Sequence, residues 1–487
     1  MSSTRSSSIR SRQSKPSPDA KSLAGTRTFF EKTPAGNMAR SIYLKIFMGG
    51  TFMILIMIFA ILPIYWGALY KTPVRKLKGW VVDFDGGAIG QTVSQALVSN
   101  QGPGKVEWTV VPAANFPGGV EDLAHAVRHE DVWVAISINP ESSTRLTAAL
   151  VSPNAAYDGT QAITGYGVEA RSENAFRVII RPSVQAALDA ISQRYAQQTA
   201  KNAANSPNLA SILSTSPQTI VQPVSYTINN LIPFDQPVAT AATFVGMLYQ
   251  LILGFFIVMI AFGAREASGY DKTLSTKNLI ILRLSSSLIS YFFVSLFYCL
   301  LNLAFSIDVT RKFGRPGFLV FWMVNYVGMV AVALALEAMI TLLTPKGMPF
   351  FMLLWIISNL AVSVFPIEVL PTVYRYGYAA PFYSLSRAIR AIVFGTRNRV
   401  GTSVGILFAW IAISCITLSL FQWLVRRPSA TPAPPQDPPA EVMDPEKQNG
   451  QSNGFDDRED TVQEELVNFN GKKIHGDVSA ETLQKQA

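Results

Sequence analysis

Glu337 is the one ionisable side chain inside an apolar run that extends from Gly317 to Pro345. A carboxyl at the centre of a membrane helix costs about 2.5–3.5 kcal/mol on insertion scales, so such a group usually faces a bundle interior or water. Two roles are open to it. It could contact a headgroup, a cationic substrate or a proton path, or it could pair with a neighbouring helix close to the surface marked by Pro345 and Lys346. Glu368, Arg387 and Arg390 form a second set. From Pro381 to Ile392, apolar and basic residues recur at helical spacing, which puts both arginines on the polar face of an amphipathic helix suited to a membrane interface. Pro366 and Pro371 flank Glu368 and break the preceding apolar run; irregular backbone at that depth is tolerated only against protein or water. Arg265, Lys272 and Lys277 form a third set, on a short charged connection running to Arg283 that could receive a docking partner.

Other patterns carry less chemistry. His125 and His129 stand four apart near Glu121 and Glu130, so both imidazoles could reach one metal, but no third ligand is evident and a solvated helix face accounts for them. Asp83 and Asp85 flank Phe84 beside Gly86-Gly87, a turn-capping arrangement. Gly86-Gly87-Ala88-Ile89-Gly90 lacks the spacing of a dinucleotide fingerprint, and no phosphate loop with its lysine occurs. The remaining histidine, His475, stands with no nucleophile, so no catalytic, cofactor or metal residues are expected. Cys299 and Cys415 both fall in apolar runs, which removes a disulfide framework from consideration.

The elements that must position these groups are membrane helices. The 487-residue chain is 49% apolar and only 15% charged. Six runs reach the roughly 20 apolar residues needed to cross a bilayer: Ile46–Tyr70, Ala239–Ala264, Leu284–Ile307, Gly317–Pro345, Gly347–Ile367 and Val400–Val425. Residues 71–238 alternate strand and helix patterns, predicting a mixed α/β domain outside the bilayer. Strands are expected at Trp80–Phe84, Val106–Val111, Val132–Ile138, Ala162–Glu169 and Phe176–Ile180, with helices at Gly90–Val98, Val120–His129 and Val184–Asn202. A basic segment, 1–45, and a Pro-rich, acidic segment, 427–487, lack the apolar content for a core and are expected to be disordered. Residues 239–426 form the five-helix remainder of the membrane domain. Lys and Arg are more numerous on the side holding both termini, which places the termini in the cytosol by the positive-inside rule. The bilayer is therefore the expected partner, and nucleic acid is not.

Leu231-Ile232-Pro233-Phe234-Asp235-Gln236-Pro237-Val238-Ala239-Thr240-Ala241, running into Phe244-Val245-Gly246, resembles the signature of the fungal nitrosoguanidine-resistance membrane proteins. Val81 to Gly87 and Ile138 to Ser142 resemble the outer domain of phage-infection-protein relatives. Phe365 to Glu368 and Ala380 to Tyr383 resemble the outer helices of type-2 ABC exporter membrane domains, with Ala380 where those often have Asn. The resemblance covers residues 40–427. It implies one span, an outer α/β domain, then five spans. It also implies a non-enzymatic role in resistance to toxic compounds through plasma-membrane lipid organisation or regulation of transport. The alternative is the permease subunit of an exporter with a separate ATP-binding-cassette protein, and the exporter likeness implies a homodimer. An outer receptor module built on 71–238 is a third reading.

Overall fold

The computed structural model describes residues 28–99 and 106–427. The basic segment up to residue 27 and the Pro-rich, acidic segment from Pro428 lie outside the described residues.

Five strands make one mixed sheet: β1 Leu77–Asp83, β2 Val106–Val110, β3 Val134–Ile138, β4 Ile163–Gly167 and β5 Tyr226–Asn230. Their order is β2-β1-β3-β4-β5, parallel except for the antiparallel β3–β4 pair. Strand β3 is buried along its whole length, as an apolar run covered on both faces must be. Helices α1 to α5 are Pro34–Ala60, Leu62–Leu69, Ala88–Ser99, Val120–Arg128 and Ser142–Val151. Of these, α3 and α5 share a core cluster with the β1 and β3 face carrying Val81 and Ile136, and α4 packs on the opposite face with Val82 and Ala135.

Phe176–Ile180 is not a strand. It is a wide helical turn leading into α6, Arg181–Ala203. Its β-branched composition suggests a strand, but Phe176, Ile179 and Ile180 are buried while Arg177 and Val178 are exposed, which is helical spacing. The Ser172 hydroxyl accepts from the Ala175 amide and starts the helix. The fifth strand lies instead at Tyr226–Asn230, a short and largely polar stretch.

Among the described residues, five helices are long and apolar enough to cross a membrane: Pro34–Leu69, Ala241–Ser268, Thr276–Ala304, Gly317–Leu360 and Val400–Val425. The first starts at Pro34 rather than Ile46. Thr33 caps it by accepting from the Gly36 amide, and Pro34 occupies the first turn, where a missing N–H costs nothing. No residue of α1 is buried; the continuation α2 meets the rest of the chain, where the Tyr374 hydroxyl donates to the Ile64 carbonyl at 2.8 Å. The helices that follow are α7 Gly246–Ser268, α8 Thr276–Ala304, α9 Gly317–Leu360, α10 Pro381–Phe394 and α11 Val400–Val425.

The fourth and fifth predicted spans are two legs of α9. Thr344 stands at φ 56°, ψ 168° before Pro345, and the chain turns back on itself there. Trp355 Nε1 donates to the Val332 carbonyl at 3.2 Å. In a straight helix those residues would lie about 34 Å apart, so the legs fold together as a hairpin. The second leg ends at Leu360, short of Ile367. The first leg is the most buried part of the bundle, with Met329 to Leu334 in contact on every side. Helices approach closely where side chains are smallest: a Cβ on Gly254 would lie 2.5 Å from Ala333 Cβ.

Candidate functional site

Two buried charge clusters are built into this frame, one at each end of the bundle. Glu337 lies two turns before the Thr344 reversal, at the end away from the α/β domain, and is 0% exposed. Arg283, in the second turn of α8, approaches Oε1 of Glu337 at 2.7 Å through Nε. The same guanidinium donates to Thr341 Oγ1 at 2.8 Å, to Gln422 Oε1 of α11 at 2.7 Å and to the Glu337 carbonyl. Arg265, near the end of α7, sits 3.2 Å from the same Oε1 and 3.5 Å from Asp271. One carboxylate thus ties α7, α8 and α9 together, and Arg283 adds α11. A buried carboxylate is tolerable only with such partners. Of the three cations read as a docking loop, Arg265 is therefore taken up inside the bundle, while Lys272 and Lys277 are exposed.

At the other end the α/β domain is seated on the helices. Arg390 of α10 is buried, with Nη1 2.5 Å from Glu173 Oε2 and 3.1 Å from the Ala170 carbonyl. Burial by itself raises the Glu173 carboxyl, but the charge and hydrogen bond of Arg390 outweigh it and hold the group below the usual carboxylate range. Beside it Glu169 joins Arg177 (2.6 Å), Asn230 (2.7 Å) and the Phe234 amide (3.1 Å). Asn174 donates to the Val364 carbonyl at 3.0 Å, and the Val74 amide to the Val369 carbonyl at 2.9 Å. The expected amphipathic interfacial helix is thus a nearly buried one, because its polar face is covered by protein rather than by headgroups.

The seam borders a partly open cavity of about 190 Å³ whose lining includes Glu368, Arg387 and Arg390. Helical spacing in the sequence predicts Arg387 and Arg390 on one polar face at a membrane interface; in the fold they line a cavity together with Glu368. Arg171, Arg397 and Arg399 complete the basic lining, and Trp133 and Tyr383 supply aromatic walls. The Arg171 guanidinium stacks 3.5 Å over the Trp133 ring and donates to the carbonyls of Glu130 and Val132. Burial pushes the Tyr383 phenol up to about 12, which keeps it a neutral donor. Arg171, Glu173 and Arg397 carry no sequence signal of their own and matter through long-range pairing; Arg399 likewise carries none and is placed by the cavity alone. Gln422 and Thr341, polar residues in apolar helices, were available as a signal for the other cluster.

The remaining candidates take structural places. Asp83 Oδ1 accepts from the amides of Asp85 and Gly86 at 2.9 Å, and Asp85 receives Ser143 N at 2.8 Å and Ser143 Oγ at 2.5 Å. These carboxylates lock the turn after β1 onto the start of α5. His125 and His129 face each other with ring centres 4.4 Å apart, and among the described residues no third potential metal ligand joins them.

Residues 51–416, most of the chain, match the family described as Protein of unknown function (DUF3533). The chain is also similar to an uncharacterized endoplasmic reticulum membrane protein of Saccharomyces cerevisiae, 28% identical over 395 residues that span 75% of this chain and 77% of that protein.

Proposed function

Because the chain belongs to the DUF3533 family, whose description names no activity, we propose a function from the geometry of the seam. The protein is a non-enzymatic integral membrane protein that contributes to resistance to toxic compounds of the nitrosoguanidine type, by organising lipid at the membrane surface or by regulating transport. It crosses the bilayer six times in the manner of a type-2 ABC exporter membrane domain, with both termini cytosolic and the α/β domain outside. The observation that carries this reading is the buried Arg390–Glu173 contact, which fixes the α/β domain onto the helix ends beside an arginine-lined cavity. A rigid domain joined to the bundle at that level is positioned to sense or shape headgroups.

Plasma membrane is the proposed location, although the yeast relative is described as an endoplasmic reticulum protein; fractionation separates the two. Deleting the gene in its native cells tests the role. Raised sensitivity to an alkylating nitroso compound, with altered labelling of outer-leaflet lipid on intact cells, supports it, and no change in either rules it out. A second reading, a permease subunit with a separate ATPase, is favoured by exposed Lys272 and Lys277 beside the short turn at Gly269. Co-purification of an ATP-binding-cassette protein in near-equal amount would establish that reading.

A further inference from the structure

Charge within the seam cavity is unevenly satisfied. Glu130 lies 3.9 Å from Arg171, Glu173 pairs with Arg390, and Asp131 receives Arg397 at 2.9 Å. Arg387 and Arg399 remain. Arg387 touches only the Tyr383 ring, 5.4 Å from its centre, and among the described residues neither guanidinium reaches a carboxylate or a hydrogen-bond acceptor. Glu368 is the one further acid in the lining, and its Oε2 is buried without a hydrogen-bond partner. Two free guanidiniums against one carboxylate leave one positive charge uncompensated. Arg399 feels this directly: burial, then the charges of Arg387 and Arg397, pull its pKa below the ordinary arginine value. A guanidinium presents a planar fork that matches phosphate oxygens. The cavity has several times the room one water needs, and its lining includes Arg399, the residue that precedes α11.

We infer that this cavity binds the phosphate of a singly charged phosphate ester, held by Arg387 and Arg399. The assignment rests on the membrane placement proposed above but not on any role in resistance. Lipid headgroups and small soluble phosphate esters share this chemistry, so the test has two arms on the full-length protein in maltoside micelles. One titrates short-chain phosphatidylglycerol against an uncharged glycolipid of equal chain length. The other titrates glycerophosphoglycerol, a soluble diester of single charge, against chloride at matched ionic strength. The wild-type protein is expected to bind at least one phosphate probe in preference to its control. Preference for the lipid identifies a headgroup site, and preference for the soluble ester a metabolite site. R387Q/R399Q is expected to lose about tenfold in affinity per guanidinium, as for a charged hydrogen bond. Binding of neither probe by the wild type overturns the assignment whatever the variant does, as does equal binding by wild type and R387Q/R399Q. A gene deletion without phenotype would leave this binding untouched, so the two readings fail separately.

Discussion

Replacing Arg283 by Met should be among the most damaging single changes in the bundle. It removes the closest partner of a carboxylate that is 0% exposed and strands the Gln422 and Thr341 oxygens that Arg283 satisfies. Breaking a buried pair from one side costs about 3–5 kcal/mol, because a charge is left without compensation. Glu337→Gln keeps the size and one acceptor, so it should cost less, about 1–3 kcal/mol. With both changes in place no carboxylate is left stranded, and Arg265 keeps Asp271 at 3.5 Å. The double variant should therefore cost about 1–3 kcal/mol less than the sum of the singles. Reversible unfolding in mixed micelles measures all three. Additivity within about 0.5 kcal/mol, or a cost below about 1 kcal/mol for Arg283→Met, would refute the view that one buried carboxylate ties the helices together.

Three further outcomes are expected. Glu173 has a folded pKa below its unfolded value of about 4.3, so its contribution is complete above that value and is lost as pH falls through the depressed one. Thermal stability should accordingly show no Glu173 dependence from about pH 5 to pH 8, and Glu173→Gln should remove part of the acid decline. Arg390→Met should loosen the α/β domain from the helices, which limited proteolysis would report as faster cleavage near Pro233 and Pro237 with the bundle fragment intact. Gly254→Ala should cost about 1–3 kcal/mol, since its Cβ meets Ala333 at 2.5 Å, and Ala333→Gly on the same chain should recover most of it.

Apolar run length made the membrane helices legible, since a span must satisfy its own backbone and leave few charges in lipid. The hairpin was legible too, because Pro345 and Lys346 interrupt an otherwise continuous run. Short apolar runs alternating with helical patterns revealed β1 to β4, but Tyr226–Asn230 has too little apolar content to stand out, and Phe176–Ile180 is β-branched yet helical. Position within a span marked Glu337 as unusual. Its partners were not readable, because Arg265 and Arg283 look like ordinary flanking cations until α7 and α8 are packed around α9. Arg390 likewise reads as facing headgroups in sequence, whereas Glu173, more than two hundred residues earlier, covers it.

Site-directed labelling at Lys346 tests the six-crossing architecture most directly. Lys346 is exposed just past the Thr344 reversal. With native cysteines replaced, Lys346→Cys in sealed vesicles should react with an impermeant maleimide from the same side as Lys272→Cys and from the side opposite Ser152→Cys in the α/β domain. A Lys346→Cys chain that is unreactive from both sides, or reactive from the side of Ser152→Cys, would contradict the hairpin and the placement of the α/β domain with it.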